Sequence, residues 1–89
     1  MIKQIENDFN LYKNFYYVAM TGSFSKAAEE LYISQPSVSY NIKCLEQNLN
    51  CKLFIRKQRG IELTDDGRSI LEHIENAYNS ILLAEKSVI

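Results

Sequence analysis

Residues 23–50 read SFSKAAEELYISQPSVSYNIKCLEQNLN and contain two helical patterns separated by a short turn. In the first pattern, apolar residues recur at the i, i+3, i+4 and i+7 spacing of one helix face: Phe24, Ala27, Ala28 and Leu31. In the second pattern, they step by four, three and four: Val38, Ile42, Leu45 and Leu49. Two such helices joined by a turn of three residues indicate a helix-turn-helix.

The ends of both helices carry residues that start or stop a helix. Ser23 and Ser34 can cap the two N-termini. Pro36 lies in the first turn of the second helix, where its missing N–H would have no partner within the helix. Asn50 can adopt the left-handed conformation that ends a helix. We therefore expect the second helix to span about residues 35–48.

The residues before this pair predict another helix, and those after it predict a hairpin. Residues 8–20 place apolar side chains on one face, with Gly22 as a stop. The β-prone runs KLFIR and IELT are joined by KQRG, which predicts a β-hairpin wing over residues 52–63 with Gly60 at its turn. This order of elements is that of a winged helix-turn-helix.

The C-terminal segment predicts one long helix with an apolar seam. Thr64 can cap it, and Asp65 and Asp66 place negative charge in its first turn, where the helix dipole favours it. The apolar residues then keep a heptad spacing, and a lone helix cannot bury such a face. We expect this face to pack on the domain, on a second copy, or on both, and the predicted dimer-interface residues are Ile70, Ile74, Ala77, Tyr78, Ile81, Ala84 and Val88.

A chain of 89 residues supports one small, mainly α domain. We expect residues 1–64 to form a winged helix-turn-helix of three helices and a small β-hairpin, and residues 65–89 to form a linker or dimerisation helix. The net charge is only −1, but it is unevenly distributed. Residues 23–60 hold six Lys and Arg against three Glu, whereas residues 61–89 hold two against six acids. The basic middle is suited to a polyanion such as nucleic acid.

The second helix of such a motif enters the major groove of DNA, while helix starts and the wing contact phosphates. Polar side chains on that helix can hydrogen-bond to base edges, and proline can offer an apolar contact. The predicted base-reading residues are Gln35, Pro36, Ser39, Tyr40 and Lys43. The predicted contacts to the DNA backbone are Ser25, Lys26, Ser34, Ser37, Arg56, Lys57 and Arg59.

Two other interpretations stay open. The polar side of the second helix could be an ordinary solvated face. The chain could also be a winged-helix protein–protein interaction or dimerisation module without specific DNA readout, with its last helix as the working surface. The short turn, the alanine pair and the cationic hairpin favour DNA readout over a solvated face, and the oligomeric state of the free chain would discriminate the second interpretation.

Catalysis finds little support in these residues. His73 is the only histidine, and Cys44 and Cys51 have no second pair to complete a zinc site. Neither a Ser/His/Asp set nor a glycine-rich phosphate loop occurs. We expect no enzyme, no metal and no cofactor. The apolar runs are shorter than the ~18 residues of a membrane span, and MIKQIENDF is unlike a signal peptide, so we expect a cytoplasmic protein with no membrane partner.

The run GSFSKAAEELYISQPSVSYNIKCLEQNLNCKLFIRKQRGIELTDDG resembles the N-terminal DNA-binding domain of LysR-type transcriptional regulators. The alanine pair, SQPSVS, the LE before the helix end, LF followed by Arg, and GIELT followed by DDG occur in the family's order and spacing. The resemblance implies a homodimer that binds specific double-stranded DNA to regulate transcription, with its last helix pairing with that of a second copy. It places Gln35, Pro36, Ser39 and Tyr40 near bases. Family members commonly carry Arg where this sequence has Tyr40.

The resemblance also implies a larger C-terminal domain that binds a small-molecule inducer. That effector-binding domain is absent from these 89 residues. We therefore expect a DNA-binding domain with its linker helix, cut from a longer regulator, with a naturally short protein as the alternative.

Overall fold

The fold of residues 2–88 was described from a computed structural model, with only the backbone described at Ile2 and Lys3. Met1 and Ile89, the outermost residues of the two predicted segments, lie outside the described range. The elements follow the order α1 (Ile2–Thr21), α2 (Phe24–Leu31), α3 (Gln35–Leu49), β1 (Phe54–Lys57), β2 (Gly60–Leu63) and α4 (Asp65–Ser87). The predicted winged helix-turn-helix with a long final helix is confirmed.

The predicted caps are present at three helix starts. The Ser23 hydroxyl accepts a hydrogen bond from the Lys26 amide, and the Ser34 hydroxyl accepts one from the Ser37 amide. Thr64 does the same for Gly67 at the start of α4. Because these bonds satisfy amides that have no partner within their helices, they define where each helix begins.

Left-handed residues end α2 and α3. Asn50 has a φ of 56°, as predicted from its position, and Tyr32 has a φ of 58°. In both, the cap amide donates back to carbonyls of its own helix. Tyr32 is an unusual residue for this conformation, which the sequence pattern did not predict.

The core lies where the three N-terminal helices meet. Its buried apolar residues are Phe15, Val18, Ala27, Ala28, Val38, Ile42, Leu45 and Leu53. The small side chains of Ala27 and Ala28 are both buried, so α2 approaches its neighbours closely on that side.

One polar residue lies within this core. Asn14 is only 2% exposed, and its amide nitrogen donates to the Asn10 carbonyl at 2.8 Å. Its amide oxygen accepts from Asn41 of α3 at 3.2 Å. Because both ends of the amide have partners, this burial does not leave an unpaired polar group.

The first helix begins earlier than predicted. The sequence pattern placed its start near residue 8, whereas α1 begins at Ile2. Residues 2–8 contain neither Gly nor Pro, so nothing breaks the helix there, but residues 4–7 are exposed and Asp8 is only half-buried. The apolar pattern therefore marked only the part of α1 that packs on the core.

The wing is a two-stranded antiparallel hairpin in which Phe54 pairs with Leu63 and Lys57 pairs with Gly60. Its base is tied together by the Thr64 amide, which donates to the Leu53 carbonyl at 3.0 Å. The Thr64 hydroxyl also donates to the Lys52 carbonyl at 2.7 Å. These bonds fix the point at which the wing gives way to α4.

Gly67 lies where α4 crosses the base of the wing. It is buried, and a Cβ added to it would be 2.3 Å from the Leu53 carbonyl oxygen. Only a glycine permits this approach. The start of α4 is therefore packed directly on the backbone below the wing.

The remainder of α4 leaves the domain. Ile70, Leu71 and Ile74 pack partly buried against the core, whereas every residue described from Glu75 onward is exposed. The molecule is accordingly elongated, with principal extents of 48 × 27 × 26 Å. None of the helices between residues 2 and 88 combines the length and apolar character needed to cross a membrane.

Candidate nucleic-acid interface

The predicted base-reading residues occupy the first three turns of α3. Its buried row faces the core, and the predicted set lies away from that row: Gln35, Pro36, Ser39, Tyr40 and Lys43. Four of these residues are exposed, and Ser39 is half-buried. The arrangement leaves the N-terminal half of α3 accessible to a large ligand.

Gln35 is held by a hydrogen bond that the sequence pattern did not predict. The Ser25 hydroxyl at the start of α2 donates to the Gln35 side-chain oxygen at 3.0 Å. This contact leaves the Gln35 amide N–H groups free to donate, while the oxygen keeps one further lone pair. Pairing with adenine would need that second lone pair, because the base amino group donates to the oxygen.

Tyr40 is 67% exposed on the same side of α3. The nearby Cys44 thiol, one turn along the helix, is the main cause that raises the pKa of Tyr40 above its ordinary value of 10. The phenol therefore keeps its proton at neutral pH. It can donate or accept a hydrogen bond, or place its ring against an apolar base edge.

The serines predicted to contact phosphate serve first as structural groups. The Ser34 and Ser37 hydroxyls lie 2.8 Å apart, and Ser34 also caps α3. Ser25, Lys26, Ser34 and Ser37 are all exposed and cluster at the starts of α2 and α3. Exposed hydroxyls and amides at helix starts are suited to phosphate oxygens.

The predicted wing cations differ in their surroundings. The Arg56 guanidinium carbon lies 5.1 Å from the centre of the Phe24 ring. Lys57 forms an exposed ion pair with Glu62 at 3.5 Å. Arg59 lies in the hairpin turn and makes no ion pair within residues 2–88. Arg56 and Arg59 are thus more available to a phosphate than Lys57.

The end of α3 is joined to the wing by Glu46. One Glu46 carboxylate oxygen accepts from the Leu53 amide at 2.7 Å, and the other lies 3.7 Å from the Lys52 ammonium. Sequence reasoning used Glu46 in the charge balance and in the LE of the family resemblance, but gave it no structural role. Its role depends on the fold, which brings the last turn of α3 against the start of the wing.

The predicted dimer-interface residues divide into two groups. Ile70 and Ile74 are half-buried against the core, whereas the others are exposed: Ala77, Tyr78, Ile81, Ala84 and Val88. Beside them, Phe9 and Tyr12 of α1 complete an open groove of about 370 Å³ that is lined almost entirely by apolar atoms. The contribution of α1 was missed. The sequence does show Phe9 as an aromatic residue before the part of α1 that packs on the core, and in the structure its side chain is 69% exposed.

The part of the chain that the structure describes contains no group of three or more His, Cys, Asp or Glu side chains placed to hold a metal ion. Cys44 and Cys51 are both free thiols. Burial, followed by the nearby Asp66 and Glu46 carboxylates, raises the pKa of the Cys51 thiol. A raised pKa disfavours the thiolate form that a nucleophile or metal ligand needs.

The sequence and the fold both match known proteins. The sequence profile described as "Bacterial regulatory helix-turn-helix protein, lysR family" matches residues 2–68. The HTH-type transcriptional regulator CitR of Bacillus subtilis is 47% identical over 66 residues, which cover 74% of this chain and 23% of the relative. HdfR of Yersinia pestis is 40% identical over 82 residues, which cover 92% of this chain and 28% of the relative. The chain thus spans about a quarter of the length of these relatives.

Two solved DNA complexes resemble the fold over most of their length. The DNA-bound CbnR DNA-binding domain has a TM-score of 0.72 and 38% identity, covering 89% of this chain and 87% of that chain. The BenM DNA-binding domain on the catB site 1 DNA has a TM-score of 0.76 and 29% identity, covering 88% and 89%.

Proposed function

Because the chain belongs to the LysR family of bacterial regulatory helix-turn-helix proteins, we propose that it binds specific double-stranded DNA as the DNA-binding part of a transcriptional regulator. Residues 1–64 are the DNA-binding unit, and residues 65–89 are the linker and dimerisation helix. The role is binding rather than catalysis, and it is exercised in the cytoplasm, where bacterial DNA lies.

The observation that carries this proposal is the two-sided character of α3. One side is buried, and the other presents an amide, a phenol and an ammonium group at the free N-terminal half of the helix. That half has the dimensions and chemistry of a helix that enters the major groove. We assign residues 35–48 to the groove, with Gln35, Pro36, Ser39, Tyr40 and Lys43 at or near base edges.

The remaining predicted contacts surround this helix. The wing, residues 52–63, is assigned to the backbone or the minor groove through Arg56 and Arg59, with Lys57 contributing less because Glu62 already pairs with it. Ser25, Lys26, Ser34 and Ser37 are assigned to phosphates at the helix starts. Cation contacts of this kind supply affinity without sequence preference, whereas the α3 contacts supply preference.

The exposed half of α4 supports a homodimer. Ile81 is 56% exposed and Val88 is 76% exposed, and Phe9 and Tyr12 extend their apolar surface onto α1. A second copy would cover this face by a two-fold arrangement, as homodimers of this kind require. A two-fold dimer presents two α3 helices and therefore reads an inverted repeat.

The proposal is tested by in vitro selection from a random duplex library at near-physiological salt. Wild-type chain is expected to enrich a two-fold related site. Replacing Gln35 or Tyr40 with Ala should cost on the order of 1 to 3 kcal/mol on that site and relax preference at one position. Arg59→Gln is the matched control, because losing a phosphate contact should weaken all duplexes alike and reduce the salt dependence. Equal losses on selected and random DNA for the Gln35 and Tyr40 variants would refute these roles.

The apolar face of α4 also supports the second candidate, a module that binds another protein. This candidate predicts weak binding to all DNA and a foreign partner that occupies Ile81 and Val88. A stable homodimer would use up this surface. Sedimentation of the free chain therefore discriminates the two, because a chain that stays monomeric while a partner binds α4 would favour the second candidate.

A further inference from the structure

Phe24 lies at the first position of α2 and joins an aromatic row that reaches the core. Its ring packs edge-on against Phe54 of the wing, with ring centres 6.0 Å apart. Phe54 in turn packs against the fully buried Phe15 of α1 at 5.2 Å. The position of the Phe24 ring is therefore fixed from the inside of the molecule.

The outer side of the same ring carries a cation. The Arg56 guanidinium carbon lies 5.1 Å from the ring centre, within the range of a cation–π contact. An open cavity of about 540 Å³ adjoins this pair, and Ser39 and Lys43 of α3 line it together with Phe24 and Arg56. The Arg56 guanidinium thus lies against α2, and Arg56 lines the same cavity as Ser39 and Lys43 of α3.

A second contact brings the wing to the same end of α2. The hairpin turn lies beside the turn between α1 and α2, since a Cβ placed on Gly60 would be 3.8 Å from the Gly22 carbonyl oxygen. The wing therefore approaches the start of α2 in two places, with its hairpin turn near Gly22 and with β1 near Phe24.

Stacking does not use up the hydrogen-bonding capacity of an arginine. The guanidinium is planar, and its N–H groups point outward in its plane while its face rests on a ring. A stacked guanidinium can therefore still donate two parallel hydrogen bonds to a phosphate. It also has fewer conformations to lose when it does so.

We propose that Phe24 is a positioning residue that holds the Arg56 guanidinium beside α3, in the place where it binds a DNA phosphate. This inference rests on the proposed DNA-binding function. It gives Phe24 a role in affinity without any contact between Phe24 and DNA. Arg56 of the wing then binds a phosphate next to the bases that α3 contacts.

The test is a double-mutant cycle measured by duplex binding well below the melting temperature. Phe24→Leu should weaken binding to every duplex about two- to fivefold, the range that an exposed cation–π contact corresponds to. Arg56→Gln should weaken binding further, and adding Phe24→Leu to it should cause no additional loss. Phe24→Tyr keeps the ring and should retain wild-type affinity.

Lys57→Gln is the matched control, because Lys57 lies next to Arg56 in the strand but pairs with Glu62 and not with a ring. Phe24→Leu should reduce the affinity for duplex DNA by the same factor in the Lys57→Gln chain as in the wild type. In the free protein, NMR should show ring-shifted Arg56 side-chain protons that return to ordinary positions in Phe24→Leu. This readout depends on neither DNA nor global stability.

Failure of the wild-type chain to bind any duplex would refute the proposed function. Intact wild-type binding with additive losses in the Phe24 and Arg56 cycle would refute only the positioning role. Unshifted Arg56 protons in the free protein would refute it as well.

Discussion

For Gly67→Ala, the structure predicts a loss in the free energy of unfolding, whereas helix propensity alone predicts a gain. Gly67 lies within α4, and in an unconstrained helix an alanine is favoured over a glycine by about 1 kcal/mol. The added Cβ would be 2.3 Å from the Leu53 carbonyl oxygen and 2.9 Å from a methyl group of Leu63. Ordinary contact begins at 3.4 Å, so the two backbones would have to separate by roughly 1 Å.

That separation would weaken a hydrogen bond at the base of the wing. The Leu53 carbonyl accepts from the Thr64 amide at 3.0 Å, and weakening such a bond costs about 1 kcal/mol. Overpacking of a tight contact adds about 1 to 3 kcal/mol. After subtracting the gain in propensity, we expect a loss of about 2 kcal/mol in the free energy of unfolding.

Thermal denaturation followed by circular dichroism measures this loss, at one protein concentration because dimerisation would shift the midpoint. For a domain of this size, about 2 kcal/mol corresponds to a fall of about 8 to 16 °C in Tm. Ser69→Ala, an exposed change in the same turn of α4, should stay within about 0.5 kcal/mol of the wild type. A Gly67→Ala chain that melts at or above the wild-type temperature would refute the close approach of α4 to Leu53.

Three other predictions follow from the site and the core. Ile81→Glu should convert the proposed dimer to a monomer in sedimentation while leaving the far-UV spectrum unchanged, and a dimer that survives would place the interface elsewhere. Asn14→Leu should lower the free energy of unfolding in urea by about 1 to 2 kcal/mol, because it leaves the Asn41 amide without its partner; an unchanged midpoint would mean that this amide finds water. Because its pKa is raised, Cys51 should react with iodoacetamide more slowly at pH 8.5 in the folded chain than in the unfolded chain. Equal labelling rates in the two states would contradict the raised pKa. The same shift makes the free energy of unfolding decline as the pH rises through the ordinary cysteine pKa, since the unfolded thiol ionises first.

Local patterns were enough to predict most of the fold. Ser23, Ser34 and Thr64 act within three residues of their own helix starts, and Asn50 ends α3 through its own backbone conformation. Such interactions depend on neighbouring residues and are readable from sequence. The start of α1 was missed for the same reason, because residues 2–8 carry no pattern that distinguishes helix from loop.

Exposure of the candidate site was predictable, but its contacts were not. Once the buried row of α3 is known, the opposite side follows from the helical repeat. The Ser25–Gln35 hydrogen bond and the Arg56–Phe24 contact join residues that lie 10 and 32 positions apart. They arise from the packing of α2 against α3 and of the wing against α2, and no spacing rule encodes them.

Glu46 links α3 and the wing, and this link bears on which duplexes the proposed interface can bind. Its carboxylate holds the Leu53 amide and lies near Lys52, so the end of α3 and the start of β1 are fixed relative to one another. A duplex would therefore meet two protrusions whose separation is set before binding. DNA whose grooves do not match that separation must bend or twist to fit, and the energy of doing so depends on base steps that the protein never touches. Discrimination would then extend beyond the contacted bases to the stiffness of the DNA between them.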